Sequence, residues 1–333
     1  MKKAILFRSG AYGDALVITP AVRRLKELGY YTILYGSKRS KEIFENNPYL
    51  DEYILHKTDL QGEELENFWK ELKDMCKGED RFINFSESIE CNAALHPINP
   101  NYNYTKKERF ELCNRNYYDV TEEWAGLEGC QKLPELYFTD GEVLETKKHL
   151  KSDHINILWQ LSGSGRQKVY PWSDYVIGEL LKNFENIHII TTGDERCQLL
   201  ESVEDKQITN LSGRIPARIA MCLTQFVDLV ISPDTGVLHA SGCYETPKIG
   251  LLGHTTRTNI TKYFINDYSL EAQAACSPCF RLIYDHEIQC PRDFITHAAW
   301  CMSEGISPER LYGRIVSCIG EKARARRPVS IPA

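Results

Sequence analysis

The stretch that decides the fold lies near the start of the chain and reads Ala4-Ile5-Leu6-Phe7, then Ser9-Gly10-Ala11-Tyr12-Gly13-Asp14. The four apolar residues predict a buried β-strand, and the two glycines allow a tight turn after it. From about residue 13 to residue 28, apolar side chains recur every three or four positions, which is the period of an α-helix. A strand, a short turn and a helix predict one unit of a parallel α/β sheet.

The same alternation of short apolar runs and helical patterns continues along most of the chain. Residues 92–124 are the exception, and we interpret them as a mobile region or a pair of helices near a site. The length and the polar linker near residue 150 predict two Rossmann-like domains, residues 1–150 and 151–315, followed by a tail at 316–333. Further strands are predicted at residues 31–35, 53–55, 81–85, 155–159, 187–191, 228–232 and 248–252.

Composition limits the class of protein. The 333 residues are 42% hydrophobic and 26% charged, an ordinary globular mixture that excludes a disordered or collagen-like chain. The 46 acidic residues outnumber the 40 basic ones, and the net charge of −6 argues against a chain-wide nucleic-acid surface. No apolar run reaches the roughly 20 residues that span a bilayer. With 12 cysteines and no recognisable export signal, we expect reduced thiols and a cytoplasmic location.

The turn after the first strand carries the first candidate residues, Gly13 and Asp14. Ligands of open α/β sheets bind beyond the carboxyl ends of the strands, which is where this turn is expected. The pattern is not G-x-G-x-x-G, so the dinucleotide fingerprint is not met. Asp14 fits two roles, the cap of the following helix or a general base at the mouth of a crevice.

A second glycine-rich turn follows the strand at residues 155–159 and reads Leu161-Ser162-Gly163-Ser164-Gly165-Arg166-Gln167-Lys168. Backbone N–H groups and a lysine suit a diphosphate, and Ser162 and Lys168 are the candidate side chains. The Walker pattern is absent, so this is not a P-loop. A plain surface loop is the alternative interpretation.

The third turn reads Ser232-Pro233-Asp234-Thr235-Gly236-Val237-Leu238-His239. An apolar strand ends here and a helix begins, and the first turn of a helix offers unpaired N–H groups to an anion. Asp234 and Thr235 also suit simple helix capping. His239, about one turn into the helix, fits either packing or chemistry.

Four cysteines near the C-terminus follow the spacing C-x2-C-x10-C-x10-C. One C-x-x-C pair with two later thiols can close a tetrahedral thiolate site for Zn or Fe, which would be structural. A second C-x-x-C pair is missing, so free thiols are the alternative. The four residues are Cys276, Cys279, Cys290 and Cys301.

In this order, the segments resemble glycosyltransferase family 9, the ADP-heptose:lipopolysaccharide heptosyltransferases. The likeness rests on the opening strand with its G-D turn and T-P-A-x-R helix, and on N-P-Y-L-D at residues 47–51. It continues in L-S-G at 211–213, in D-T-G-x-x-H at 234–239 and in T-P at 246–247. The resemblance implies a GT-B fold, in which two Rossmann-like domains face each other across a cleft.

The resemblance also implies a reaction and roles for residues. The family inverts the anomeric centre and does so without a catalytic metal. By the same resemblance, residues 1–150 would bind the acceptor and residues 151–315 the nucleotide sugar. ADP-heptose is the expected donor. Asp14 would deprotonate the acceptor hydroxyl, and Glu195, or Asp194 beside it, would reach the ribose. The other residues expected at the donor are Gly13, Ser162, Lys168, Asp234, Thr235, Gly236 and His239.

The four cysteines are similar to the iron-binding motif of bacterial autotransporter heptosyltransferases, which makes a structural Fe or Zn site in segment 276–301 an expectation. The acceptor would be a glycan, a lipopolysaccharide core or a protein. The basic stretch at 322–327 fits a solvated tail, with a membrane or nucleic-acid contact as the alternative. A location at the inner face of the membrane and a homo-oligomer are compatible with the sequence. The alternatives to transfer are a sugar-nucleotide epimerase or hydrolase and a non-catalytic nucleotide-sugar-binding module.

Overall fold

The computed structural model describes residues 1–56, 60–92, 100–281 and 290–320. The first of its two sheets is entirely parallel, in the order β3-β2-β1-β4. The predicted first strand and helix are both present, and the buried face of that helix covers the sheet. The strands are β1 (Lys3–Arg8), β2 (Tyr31–Gly36), β3 (Glu52–Leu55) and β4 (Arg81–Asn84).

The helices of the N-terminal half connect these strands and then lead towards the second sheet. They are α1 (Tyr12–Glu27), α2 (Lys38–Phe44), α3 (Gly62–Asp74), α4 (Ser88–Asn92), α5 (Lys106–Cys113), α6 (Tyr117–Trp124) and α7 (Asp140–Lys147).

The second sheet is also parallel, in the order β10-β9-β8-β5-β6-β7. Its central strands are apolar and buried, as expected where helices cover both faces of a parallel sheet. Its strands are β5 (Ile155–Gln160), β6 (Ile187–Thr192), β7 (Ile208–Asn210), β8 (Leu229–Pro233), β9 (Lys248–Leu252) and β10 (Leu270–Glu271). Its helices are α8 (Ser173–Asn183), α9 (Ala217–Leu223), α10 (Gly236–Ser241), α11 (Arg257–Ile260), α12 (Trp300–Ser303) and α13 (Pro308–Ile319).

The strand order reverses once in each sheet, and this reversal positions the site. In the first sheet, β1 lies between β2 and β4, and in the second, β5 lies between β6 and β8. The first strand of each half thus has the next strand in sequence on one side and a later strand on the other. At such a switch point, the connections leave towards opposite faces and open a crevice at the carboxyl ends of the strands. The crevices therefore lie beyond β1 and β4 in one half and beyond β5 and β8 in the other.

Residues 92–124, which lack a clear sequence pattern, contain a pair of helices, α5 and α6. This agrees with one of the two interpretations of that stretch. They pack on the second half of the chain. The amide of Asn116 donates to the carbonyls of Thr258 and Asn259, and the amide of Asn259 donates back to those of Cys113 and Arg115. Residues 93–99 of this stretch lie outside the described residues.

The C-terminal helix α13 continues into the stretch predicted as a tail from residue 316. Its apolar face, with Leu311, Ile315 and Ile319, packs in the core of the second half, and this burial keeps the chain helical. The basic stretch at 322–327 lies outside the described residues. No helix among the described residues is both long and apolar enough to cross a membrane.

Candidate active site

Asp14 lies in the first turn of α1, directly beyond the carboxyl end of β1. One carboxylate oxygen, Oδ2, accepts the backbone N–H of Ala11 at 2.7 Å, so Asp14 caps α1 from the N3 position, whereas Ala11 and not Asp14 is the N-cap residue. The other oxygen, Oδ1, lies 2.8 Å from Nη2 of Arg8. The turn needs Gly10, because its φ is +130° and a Cβ there would lie 2.5 Å from Asp14 Oδ2. The side chain of Asp14 is 36% exposed, so it remains accessible to a substrate.

Arg8 ends β1 with a side chain that is completely buried. Its Nη1 donates to both carboxylate oxygens of Glu90 at 2.9 Å and to the carbonyl of Phe85 at 2.8 Å. Burial lowers the pKa of Arg8, but the charges of Glu90 and Asp14 outweigh it and raise that pKa above its ordinary value. Burial raises the pKa of Glu90 above its ordinary value, and the charge of Arg8 offsets this only in part. Neighbouring strands β1 and β4 thus bring a cation and two carboxylates together.

Across the cleft, Asp234 directly follows β8 and lies at the centre of a buried polar cluster. Its Oδ2 is 3.1 Å from Nζ of Lys168 and 3.6 Å from Nε2 of His254, and its Oδ1 is 3.2 Å from Nε2 of His239. Burial alone would raise the pKa of Asp234, but Lys168 and the two imidazoles hold it well below its usual range. Burial and the charge of Lys168 lower the pKa of His254 to about 3, so its imidazole is neutral.

The two clusters face each other because the first turns of α1 and α10 are in contact. A Cβ on Gly13 would lie 3.0 Å from Cδ2 of His239, and a Cβ on Gly236 would lie 2.7 Å from Cβ of Tyr12. Tyr117 of α6 packs against apolar residues of both halves, among them those of α1 and α10. Burial raises the pKa of this tyrosine well above its ordinary value, and the charges of Asp234, Asp14 and Glu90 add to the effect.

The remaining predicted donor residues lie around the same cleft of the second half. Thr235 is the N-cap of α10, and its hydroxyl lies 2.9 Å from that of Ser232. The hydroxyl of Ser162 is 2.9 Å from Sγ of Cys197. Glu195 is exposed at the start of a short 3-10 turn. The neighbouring Asp194 caps that turn and is paired with Arg196 at 2.8 Å, which leaves Glu195 as the better placed of the two carboxylates.

The four C-terminal cysteines line one cavity of about 210 Å³, together with Lys106, Arg109 and Arg281. Burial raises the pKa of Cys301, and the charges of the other three cysteines raise it further. The four thiols are therefore close enough to affect one another's ionisation. As a ligand set, the four thiols suit Fe or Zn by their chemistry, although three cationic side chains line the same cavity. Among the described residues, however, no three His, Cys, Asp or Glu side chains converge at metal-binding distances. Part of the connecting segment, residues 282–289, lies outside them.

Sequence reasoning missed four residues of this site: Arg8, Glu90, Tyr117 and His254. A charged residue that ends an apolar strand, as Arg8 does, is the one local signal of a buried cation. The other three stand in stretches without a motif, and only the strand order brings them to the cleft.

Comparison with known proteins places the chain in a family. The family described as glycosyltransferase family 9 (heptosyltransferase) matches residues 95–285, which is more than half of the chain. Among curated proteins, the lipooligosaccharide heptosyltransferase 2 of Campylobacter jejuni is 23% identical over 292 residues, which cover 81% of this chain and 87% of that protein.

Two solved structures extend the likeness to nearly the whole chain. The glycosyl transferase family 9 protein of Veillonella parvula has a TM-score of 0.64 and 14% identity, covering 96% of this chain and 97% of its own. The iron-containing dodecameric glycosyltransferase TibC of enterotoxigenic Escherichia coli has a TM-score of 0.61 and 12% identity, covering 96% and 76%. TibC has also been solved in complex with ADP-D-beta-D-heptose. These likenesses confirm the predicted α/β class and GT-B fold. The chain therefore belongs to glycosyltransferase family 9 and is a glycosyltransferase.

Proposed function

We propose that this protein transfers a heptose from ADP-heptose to an acceptor hydroxyl with inversion, and that Asp14 is the general base. The observation that carries the proposal is that the two crevices formed where the strand order reverses, one in each half, face each other. An accessible carboxylate lies beyond β1, and the Lys168–Asp234–His239 cluster lies beyond β5 and β8, with α1 and α10 in contact between them. A base and a diphosphate site on opposite walls of one cleft are what a displacement at a sugar carbon requires.

The displacement balances as follows. The acceptor oxygen forms a bond to C1 of the heptose while its proton passes to Asp14. The bond from C1 to the β-phosphate oxygen breaks, and ADP leaves with the electron pair. Lys168 and the backbone N–H groups of Thr235 and Gly236 bind the charge that gathers on the diphosphate. Lys168 is preoriented for this by its ion pair with Asp234, which holds the ammonium at the cleft in a buried setting.

ADP-heptose is supported as donor by the family and by the complex of TibC with ADP-D-beta-D-heptose. Glu195 would bind the ribose, and Gly13, Ser162 and His239 would line the donor pocket. For the acceptor we propose a saccharide of a lipooligosaccharide core, which the name of the Campylobacter relative supports. A peptide acceptor, as in autotransporter modification, is the competing outcome of an acceptor assay.

The test of the base is Asp14→Asn, assayed by ADP release from ADP-heptose with deacylated lipooligosaccharide as acceptor. We expect turnover to fall by roughly 100- to 10,000-fold, because proton transfer to a positioned base is lost. The dissociation constant for ADP, measured by calorimetry, should change less than about twofold, since Asp14 lies on the acceptor side. The exposed Asp153→Asn is the control. Wild-type turnover in Asp14→Asn, or no ADP release by a wild-type protein that binds ADP, would contradict the proposal.

We further propose that the four cysteines hold one structural Fe or Zn ion, as the iron content of TibC supports. Cys276, Cys279, Cys290 and Cys301 already share a cavity, and the ion would tie segment 276–301 together. Metal analysis of the protein purified without chelator should give one equivalent. Cys276→Ser with Cys279→Ser should lose it, whereas Cys76→Ser, in the other half, should retain it. A metal-free wild-type protein would refute the site.

The family setting also supports a cytoplasmic location, at the inner face of the membrane where a lipid-linked acceptor is reached, and assembly into a homo-oligomer. The dodecamer of TibC supports the last point. Cell fractionation and light scattering test the two statements separately. Recovery of the protein outside the cytoplasm and inner membrane, or a monomer at micromolar concentration, would go against them.

A further inference from the structure

Arg8 connects two carboxylates in the wall of the cleft. Its Nη2 lies 2.8 Å from Asp14, while its Nη1 lies 2.9 Å from both oxygens of Glu90. The guanidinium has no exposed surface. The side chains of Asp14 and Glu90 are 36% and 40% exposed, so water screens the two pairs only from the carboxylate side.

This setting creates a conflict for a general base. A base must accept a proton, yet everything in direct contact with Asp14 favours its ionised form. Oδ1 faces Arg8, Oδ2 accepts the N–H of Ala11, and the side chain lies in the first turn of α1, where the helix dipole favours negative charge.

Glu90 supplies the opposing charge. One N–H of Nη1 goes to the carbonyl of Phe85, so the other is shared between the two oxygens of Glu90, which suits an ionised carboxylate, since a protonated one would accept well at only one oxygen. With Glu90 ionised, Arg8 shares its charge between two carboxylates. Without Glu90, the whole charge would fall on Asp14.

We propose that Glu90 is a positioning residue for the transfer reaction: by neutralising Arg8 it keeps Asp14 basic enough to take the acceptor's proton, while Arg8 keeps the Asp14 carboxylate aimed into the cleft. The proposal rests on the proposed role of Asp14 as the base. It extends that role, because it explains why a buried cation beside the base does not disable it.

The other ionisable groups that face Asp14 do not supply the same balance. Asp234 beyond β8 already has its charge countered by Lys168 at 3.1 Å, and His239 of α10 is bound to Asp234. Tyr117 of α6 stays neutral, because burial and the surrounding negative charges raise its pKa well above the ordinary value. The balance at Asp14 is therefore set by its ion pair with Arg8 and by the bond between Arg8 and Glu90.

The test compares the pH–rate profiles of the wild type and Glu90→Gln, which removes the charge at nearly constant shape. In the variant, the loss of a negative charge weakens the proton affinity of Asp14. The acid limb of kcat/KM should move to lower pH by about one unit, and kcat on the plateau should fall about tenfold. The KM for ADP-heptose should stay within about twofold, since Glu90 does not belong to the donor side. Glu87→Gln, three residues earlier, is the control and should match the wild type.

Two further variants separate charge from packing. Glu90→Asp retains the charge, so its acid limb should stay at the wild-type pH even if kcat falls. The double variant Arg8→Gln with Glu90→Gln leaves no unpaired buried charge and is the one best able to fold. Its acid limb should return towards the wild-type pH, while kcat stays low because Asp14 is no longer held.

The outcomes distinguish this proposal from the one on which it rests. Wild-type turnover in Asp14→Asn refutes the base itself. An inactive Asp14→Asn together with a Glu90→Gln whose acid limb does not move refutes only the role of Glu90. A double variant whose acid limb stays displaced would also overturn the proposal.

Discussion

At the scale of single residues, the positive charge of Lys168 and the negative charge of Asp234 balance each other in the buried cluster beyond β5 and β8. Lys168 is 8% exposed and lies beside the buried Asp234, which is hydrogen-bonded to His239 and lies 3.6 Å from the imidazole of His254. A buried charge that is paired and hydrogen-bonded is tolerated, whereas an unpaired one is costly. The cluster therefore holds a cation ready for a diphosphate at the cleft without leaving it unpaired.

Lys168→Ala should weaken the binding of ADP. A hydrogen bond to a charged partner contributes about 1.5–3 kcal/mol, which corresponds to roughly 10- to 150-fold in the dissociation constant. Titration calorimetry with ADP measures this. Lys182→Ala, whose side chain is 73% exposed on α8, should leave the dissociation constant unchanged. Equal affinities in the two variants would remove Lys168 from the diphosphate site.

His254 should make the protein sensitive to acid. Its folded-state pKa is lowered to about 3, below the ordinary 6.5, so the unfolded chain binds a proton that the folded one refuses. The stabilisation is present above pH 6.5 and is lost as the pH falls towards 3, with an upper limit on the order of 5 kcal/mol. His254→Asn should therefore show a smaller fall in Tm between pH 7 and pH 4.5 than the wild type. Parallel curves for the two proteins would contradict this, and the exposed His297→Asn should behave as the wild type.

At the scale of elements, the site depends on how closely two helix N-termini approach. Sequence patterns identified α1 and α10 and the turns before them, because apolar periodicity and glycine turns are local features. The contact between the two helices was not predictable, since it depends on the packing of one sheet unit on the other. The glycines at this contact, Gly13 and Gly236, have a packing role, because a Cβ on either would meet the facing helix.

Gly236→Ala tests the approach of α1 and α10. The new Cβ would lie 2.7 Å from Cβ of Tyr12, so the helices must separate. We expect the free energy of unfolding to fall by about 1–3 kcal/mol and turnover to fall with it. Gly178→Ala is the matched control, because it lies within α8 with no heavy atom within 4 Å of the new Cβ. It should be neutral or stabilising by about 0.5–1 kcal/mol in urea denaturation. A Gly236→Ala protein as stable and active as wild type would show that the contact is loose.

At the scale of the whole molecule, Arg218 links the two halves. It lies on α9 with 7% of its side chain exposed, and it binds the carboxylate of Glu142 on α7 and the carbonyls of Glu42 and Tyr137. The hydrogen bonds from Arg218 lower the pKa of Glu142 to about 2. The guanidinium of Arg218 thus joins α9 of the second half to α2 and α7 of the first half.

Arg218→Ala should destabilise the protein as a whole, because it removes the counter-charge of Glu142 and the donor to two carbonyls. Breaking a buried ion pair from one side costs about 3–5 kcal/mol. Urea denaturation followed by far-UV circular dichroism should show this loss, either in one transition or as the separation of the two halves into two transitions. Arg196→Ala, whose side chain is 85% exposed, should change the free energy of unfolding by less than about 0.5 kcal/mol. A loss below 1 kcal/mol in Arg218→Ala would show that the halves are held together elsewhere.

The sequence by itself determined the class of the fold and the turns that face the cleft. The spacing of apolar residues in a strand or a helix reflects burial over a few neighbouring residues. The sequence therefore predicted β1, α1 and the turns that carry Asp14, Lys168 and Asp234. Only the tertiary structure decided which charges meet. Arg8 and Glu90 are 82 positions apart and touch because β4 pairs with β1, and His254 reaches Asp234 because β9 pairs with β8. Strand order is set by crossover connections and long-range packing, which a local pattern does not record.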